Sequence, residues 1–338
     1  MKKPVVFVLT LLAALSGDAQ LAAPLTLQRA ITLPGVSGKF DHFAIDLVGN
    51  RLFAAAIGNH SVEVIDLATN KVNQSIAGLG KPHGLAWVAD TGRLYIADGA
   101  LGQLRVYQGA PLKLVGTIQL SDDADDMVYD KATQTLYVGH GGSDASDPAR
   151  IAVIDTVKFA LVADLPVATH PEALDLDAAT QRVFADIADS NDVAVIDAQK
   201  NSISAHWKLT RSLDNVPLAY DREHGVLYVA SRTPGALMAL DEKSGAQLSR
   251  LPAAAQADDL FYDAALRRVY VVCGAGEVDA YQVDSQRKLH ALNVTHTAAA
   301  AKTGLFVPSQ STLYVGVPGT DGHSAKINVY ATSMRGSE

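Results

Sequence analysis

The chain has 338 residues, of which 48% are hydrophobic and only 19% charged, with a formal net charge of −8. So apolar a composition supplies a large core and excludes a disordered chain, and an acidic balance without a clustered basic run makes nucleic acid a poor partner. Cys273 is the single cysteine, which excludes an internal disulfide, a multi-cysteine zinc site and covalent haem attachment.

The first segment reads as an export signal. Lys2 and Lys3 form its positive end, Pro4 to Leu15 its apolar run, and Gly17-Asp18-Ala19 a small-residue cleavage site, with Leu21-Ala22-Ala23 as a second candidate. The run is too short to span a bilayer and nothing later approaches the required length, so no membrane span is expected. Residues 1–19 are assigned to the signal, 24–333 to one folded domain and 334–338 to a tail, and the mature protein is expected in the periplasm or outside the cell.

After the signal, Leu27 to Leu33 (LQRAITL) has the alternation of a strand, and a repeat then begins. Its mark is an aromatic anchor within a short apolar strand: RLFAA at Phe53, RLYIA at Tyr95, TLYVG at Tyr137, RVFAD at Phe184, VLYVA at Tyr228, RVYVV at Tyr270 and TLYVG at Tyr314. Successive anchors are separated by 42, 42, 47, 44, 42 and 44 residues. Four short strands per period of this length predict an all-β, seven-bladed β-propeller with four antiparallel strands per blade. Each anchor is followed by a strand such as VEVID, IAVID or INVYA, and six of these by an outer strand, among them VNQSIA, KLVGTIQL and KLHALNV. The seventh outer strand is missing at the C-terminal end, and Leu27 to Leu33 is expected to supply it. Pairing the two ends in this way leaves no open edge. Such a ring needs no second copy for stability, so a monomer is expected.

The stretch from Ser61 to Asp98, SVEVIDLATNK followed by GKPHGLAW and GRLYIAD, resembles the YncE-like, YVTN-repeat family of exported seven-bladed propellers. The resemblance covers the mature chain. It implies the architecture, and it brings single-stranded DNA binding as one activity of such proteins. It brings no catalytic signature.

Most of the repeated acids read as scaffold. Asp66, Asp155, Asp197 and Asp241 end third strands, and Asp46, Asp130, Asp177, Asp221 and Asp263 lie in the turns between first and second strands, where an Asp bonds its own turn backbone. The anchors are core. Candidates for chemistry lie on the other face, where first strands begin and second strands end. There the seven first strands present Asp41-His42, His83-Gly84, Asp125-Asp126, Glu172-Ala173, Asn215-Val216, Asp258-Asp259 and Thr303-Gly304 around the channel mouth. His140, Asp98 and Arg232 reach the same face from second strands.

Carboxylates crowded on one ring with little basic compensation raise one another's pKa or recruit a cation. Imidazole beside carboxylate suits zinc or copper, with calcium as the alternative if carboxylates act alone. The expected metal ligands are His42, His83 and His140 with Asp125 or Glu172. Asp41, Asp98, Asp126, Asn215, Arg232, Asp258 and Asp259 are the expected ligand-binding positions around them. No nicotinamide or pyrroloquinoline-quinone motif is present, and Trp87 and Trp207 are the only tryptophans.

The favoured reading is a binding module that holds a metal ion, a small molecule or a partner protein at this mouth. The alternative is a metal-assisted hydrolase or lyase of lactonase type, with a nearby acid or histidine moving the proton and Arg232 orienting an anionic substrate. Single-stranded DNA binding is opposed by the acidic mouth and by the lack of stacking platforms in a basic groove, although Lys39, Lys81, Arg211 and Lys302 lie near it.

Overall fold

The computed structural model describes residues 23–143, 146–320 and 322–332. The expected signal and tail lie outside them. Seven antiparallel sheets follow one another along the chain, and together they form a seven-bladed β-propeller. The first blade shows the pattern, with strands Phe43–Asp46, Arg51–Ala56, Ser61–Asp66 and Lys71–Ala77 ordered from the channel outwards. The closing strand is where the repeat count requires it. Leu25–Leu33 pairs with Ala325–Thr332 in the last blade, with Leu33 opposite Ala325 and Leu25 opposite Thr332. No helix among the described residues is long and apolar enough to cross a membrane.

The core is divided into seven wedges, one between each pair of neighbouring blades. The anchors Phe53, Tyr95, Tyr137, Phe184, Tyr228, Tyr270 and Tyr314 are all buried in these wedges. Removing a ring of this size from water is worth about 1.5–3 kcal/mol, so the repeat of anchors is in effect a repeat of blade-to-blade adhesion. The seam is sealed in the same way, with Ile31 and Leu33 of the closing strand packed against Phe40, Phe43 and Leu52 of the first blade.

The turn acids behave as the repeat requires. Asp66 accepts the backbone N–H of Ala68 and Thr69, and Asp155, Asp197 and Asp241 accept the equivalent pairs. On the inner turns, Asp46, Asp130, Asp177, Asp221 and Asp263 each accept a backbone N–H two or three residues on. One outer strand departs from expectation. Of KLHALNV in the sixth blade only Leu289–Ala291 is strand, and a second short strand, Thr295–His296, follows it; both pair with Glu277–Val283. Between the pairs Tyr281/Ala291 and Val278/Thr295 the outer strand carries one residue more than its partner, and this bulge breaks it.

Candidate functional site at the channel mouth

The innermost strands do not run regularly up to the mouth. In the second, fourth, fifth and sixth blades their register shifts between Pro82 and Leu85, Pro171 and Ala173, Asn215 and Leu218, and Ala257 and Asp259. His83, Glu172 and Asp258 are residues left unpaired by three of these bulges. A bulge re-aims its side chain, and here it turns an alternating strand residue towards the channel. Gly84 makes the approach of the second and third blades possible, because a Cβ on it would lie 2.2 Å from the carbonyl oxygen of Asp125. Any side chain there would push His83 and Asp125 apart.

The resulting cavity encloses about 280 Å³ and is lined by Asp41, His42, His83, Asp123, Asp125, His170, Glu172 and Asp258, together with Lys39, Lys81, Arg232 and Lys302. Val216 is the single apolar residue of the lining. Asp125 is its centre. His42 Nε2 lies 3.7 Å from Asp125 Oδ1 and 3.7 Å from Asp41 Oδ1. His83 Nδ1 lies 3.6 Å from Asp125 Oδ1, and His170 Nε2 3.5 Å from Asp125 Oδ2.

Each imidazole is oriented by one nitrogen. His83 Nδ1 donates to Asp41 Oδ2 at 2.6 Å, His170 Nδ1 donates to the carbonyl oxygen of Gly141 at 2.8 Å, and His42 Nδ1 faces Asp259 Oδ1 at 3.5 Å. Of the other nitrogens, those of His42 and His170 face Asp125, and His83 Nε2 faces Asp123 Oδ1 at 3.7 Å. His83 Nε2, His170 Nε2 and Asp125 Oδ1 are buried atoms without a hydrogen-bond partner, although His83 and Asp125 are only 6% and 9% exposed. An imidazole fixed through one ring nitrogen with the other free is the arrangement by which proteins present histidine to a metal.

The electrostatics follow from this crowding. Burial disfavours the imidazolium of His42, but Asp126, Asp259 and Asp41 outweigh it and raise its pKa well above the ordinary value. Burial likewise opposes protonation of His83 and His170, yet Asp125 and Asp41 raise the first and Asp125 brings the second to about 9. The carboxyl of Glu172 is pushed up to about 7 by burial, reinforced by Asp125. Burial would raise Asp41 too, but the His83 hydrogen bond and the charges of His42, His83 and Lys302 hold it down at about 2. Without a cation, protons on the imidazoles therefore bridge the carboxylates.

One atom each from Asp41, His42 and Asp125 lie within 4.8 Å of one another. Tetrahedral zinc with bonds of about 2.0–2.1 Å sets its ligand atoms about 3.4 Å apart, close to the 3.7 Å separations of His42 from its two neighbours. These three donors could hold a metal ion.

Several expected residues serve elsewhere. His140 does not line the cavity; its Nδ1 accepts the backbone N–H of Ser121 at 3.1 Å and its Nε2 meets Asp164 Oδ1 at 2.9 Å, so both nitrogens are committed. Asp98 is fully buried and accepts the N–H groups of Gly80 and Lys81, which anchors the crossing that carries His83. Asn215 is buried against Asp186. Asp126 accepts the N–H of Leu174 at 2.8 Å and Asp259 that of Gly304 at 2.6 Å, so each pegs one innermost strand to the next. Arg232 and Lys302 both pair with Asp258, and Lys81 pairs with Asp123 at 2.7 Å. The expectation of little basic compensation is thus corrected: four cations line the mouth.

His170 joins His42 and His83 at the mouth in place of His140. The signal for it lay in an alignment of crossings, since Lys81-Pro82-His83 and His170-Pro171-Glu172 are equivalent, which places both members of each triplet on the channel.

No family model matches the chain. The seven-bladed β-propeller protein Rv1057 of Mycobacterium tuberculosis is 26% identical over 144 residues, which cover 42% of this chain and 36% of that protein. The match thus spans about a third of the relative's length. Among solved structures, a chain of Kuenenia stuttgartiensis hydrazine synthase is similar with a TM-score of 0.75 at 16% identity, covering 90% of this chain and 97% of that one. The RRP9 WD40 repeats give 0.76 at 11% identity, covering 93% and 98%. A chain of the mitotic checkpoint complex gives 0.74 at 13% identity, covering 97% and 98%. At these identities the likeness is one of fold.

Proposed function

We propose that the protein is an exported binding module of the YncE-like kind whose channel mouth holds one divalent transition-metal ion, zinc or copper, through Asp41, His42 and Asp125, with His83 or His170 completing the set. The observation that carries this reading is the convergence of Asp41, His42 and Asp125, one ligand atom of each within 4.8 Å of the others, with the Nε2 of His170 3.5 Å from Asp125 Oδ2. Three imidazoles in one cavity disfavour calcium, which takes oxygen ligands. The test is calorimetric titration of zinc into untagged, chelator-treated protein. One site per chain with submicromolar affinity is expected, weakened at least 100-fold in a His42→Ala/Asp125→Asn double variant; no uptake by the wild type would overturn the reading.

A second reading, metal-assisted hydrolysis at the same mouth, draws on Glu172, whose carboxyl at about 7 is suited to moving a proton near neutral pH. Turnover of lactones or esters by zinc-loaded protein, lost in Glu172→Gln with zinc affinity retained, would establish it.

A further inference from the structure

The seam between the closing strand and the first blade holds a cavity separate from the channel mouth. It encloses about 670 Å³, the size of many small-molecule sites, between the stretch from Ala30 to Val36 and the outer half of the first blade. Two hydrogen bonds cross the seam beside it, from Arg29 Nε to Asn70 Oδ1 at 3.1 Å and from the N–H of Ser37 to Asn59 Oδ1 at 3.4 Å.

One residue of the wall is not explained by the scaffold. Glu63 follows the repeat position opposite the residue after its blade's anchor, and Ala152 and Ala194 hold that position in the third and fourth blades, so the repeat asks for no acid there. Glu63 is only 1% exposed, yet it lines the cavity. Its Oε1 accepts Ser61 Oγ at 2.5 Å and Ser75 Oγ at 2.9 Å, and Asn59 Nδ2 donates to Ser61 Oγ at 2.9 Å. Both hydroxyls thus go to one oxygen. Oε2 has no hydrogen-bond partner, and Glu63 no ion pair, among the described residues. Lys71 is the one cation of the lining, but Glu63 stands opposite Ser75, and Lys71 is four residues further down that strand, about 13 Å away at about 3.3 Å per residue. A carboxylate withdrawn from water, oriented by two hydroxyls and left without a counter-charge is costly unless a cation meets it.

The rest of the wall decides the kind of cation. One free carboxylate oxygen is too few for a divalent ion. Ile31 and Val36 are buried in this wall and Val72 is half-buried, an apolar surface that a hydrated ion does not use. We propose that the seam cavity binds a small aliphatic amine, its ammonium group on Glu63 Oε2 and its chain against Ile31, Val36 and Val72. Ser75 Oγ, whose proton goes to Glu63, keeps lone pairs for a second N–H of the ammonium. The site is independent of the metal reading.

The test is residue-resolved amide NMR of the full mature chain, isotope-labelled and chelator-treated, titrated near neutral pH with n-butylamine and, as its neutral counterpart, 1-butanol. Butylamine is expected to move the amides of Val36, Glu63 and Ser75 saturably with millimolar affinity, and butanol to leave them nearly unmoved. Glu63→Gln keeps the size of the side chain and an acceptor for both hydroxyls but turns an NH₂ group to the cavity; it is expected to retain the unfolding midpoint and to bind butylamine about tenfold more weakly, the loss of one charge-assisted hydrogen bond. Lys71→Gln should change the affinity by no more than about twofold, because its charge is exposed and screened. Butylamine that moves no seam amide, or only amides of the channel mouth, would overturn the proposal, and so would butanol binding as tightly as the amine. Those two comparisons use the wild type alone. Undiminished amine affinity in folded Glu63→Gln would overturn the role of Glu63.

Discussion

Replacing Asp98 with Ala tests whether the crossing that carries His83 is held from below. Asp98 is fully buried, and its two oxygens take the N–H of Gly80 at 3.0 and 2.9 Å and the N–H of Lys81 at 2.9 Å. No other acceptor for these two groups is in view, so the variant strands two backbone donors. A fully buried stranded donor costs about 1–3 kcal/mol; with these two half-buried, the expected loss of unfolding free energy is about 1–4 kcal/mol. Arg105 also loses a carboxylate 3.6 Å away, but part of it reaches water and its share is small. Asp98→Asn keeps one acceptor oxygen and turns an NH₂ group towards the other donor, so it should lose about half as much. Urea unfolding followed by fluorescence measures both, and an unchanged dependence on denaturant would show that only stability has moved. The loosened crossing should also weaken zinc uptake about tenfold, as loss of an outer support does. A stability change below about 1 kcal/mol in Asp98→Ala would refute the anchoring role.

Two further outcomes follow from the same contacts. His140→Ala should cost about 1–3 kcal/mol, since it strands the N–H of Ser121, while Asp164 keeps Arg150 and water, yet leave zinc affinity within twofold; a large drop in affinity would return His140 to the site. The metal-free protein should lose stability as pH rises from 5 to 9. His170 is raised from 6.5 to about 9 and Glu172 from 4.5 to about 7, so each favours the folded state while protonated. Their contributions are complete below 6.5 and 4.5 and vanish as pH passes the raised values. Urea midpoints of chelator-treated protein between pH 5 and 9 measure this, and a rising midpoint would contradict it.

The fold was legible because the signal repeats. Seven aromatic anchors at a near-constant period report burial between blades, and the one missing outer strand pointed to Leu27 to Leu33 as its replacement, which lies within the observed strand Leu25–Leu33. The site was legible only in part. Asp41, His42, His83, Asp125, Glu172, Asp258 and Arg232 line the cavity because the chain order of an antiparallel blade assigns each strand end to a face. The errors arise below that level. Asp98 and Asp126 lie on the right face, but their carboxylates turn to backbone N–H groups of an adjoining crossing or blade. His140 and His170 could not be separated by position, because what distinguishes them is a committed second nitrogen in one and a free one in the other. The bulges that swing His83, Glu172 and Asp258 inwards leave no mark on an alternating pattern only a few residues long.

The central claim is that a metal ion sits among Asp41, His42 and Asp125. It is tested most directly by anomalous scattering at the zinc edge from crystals of zinc-loaded protein. The account predicts one strong peak at the channel mouth, about 2.0–2.2 Å from His42 Nε2 and an Asp125 oxygen. A mouth without a peak, or zinc held only at exposed histidines such as His290 and His296, would contradict it.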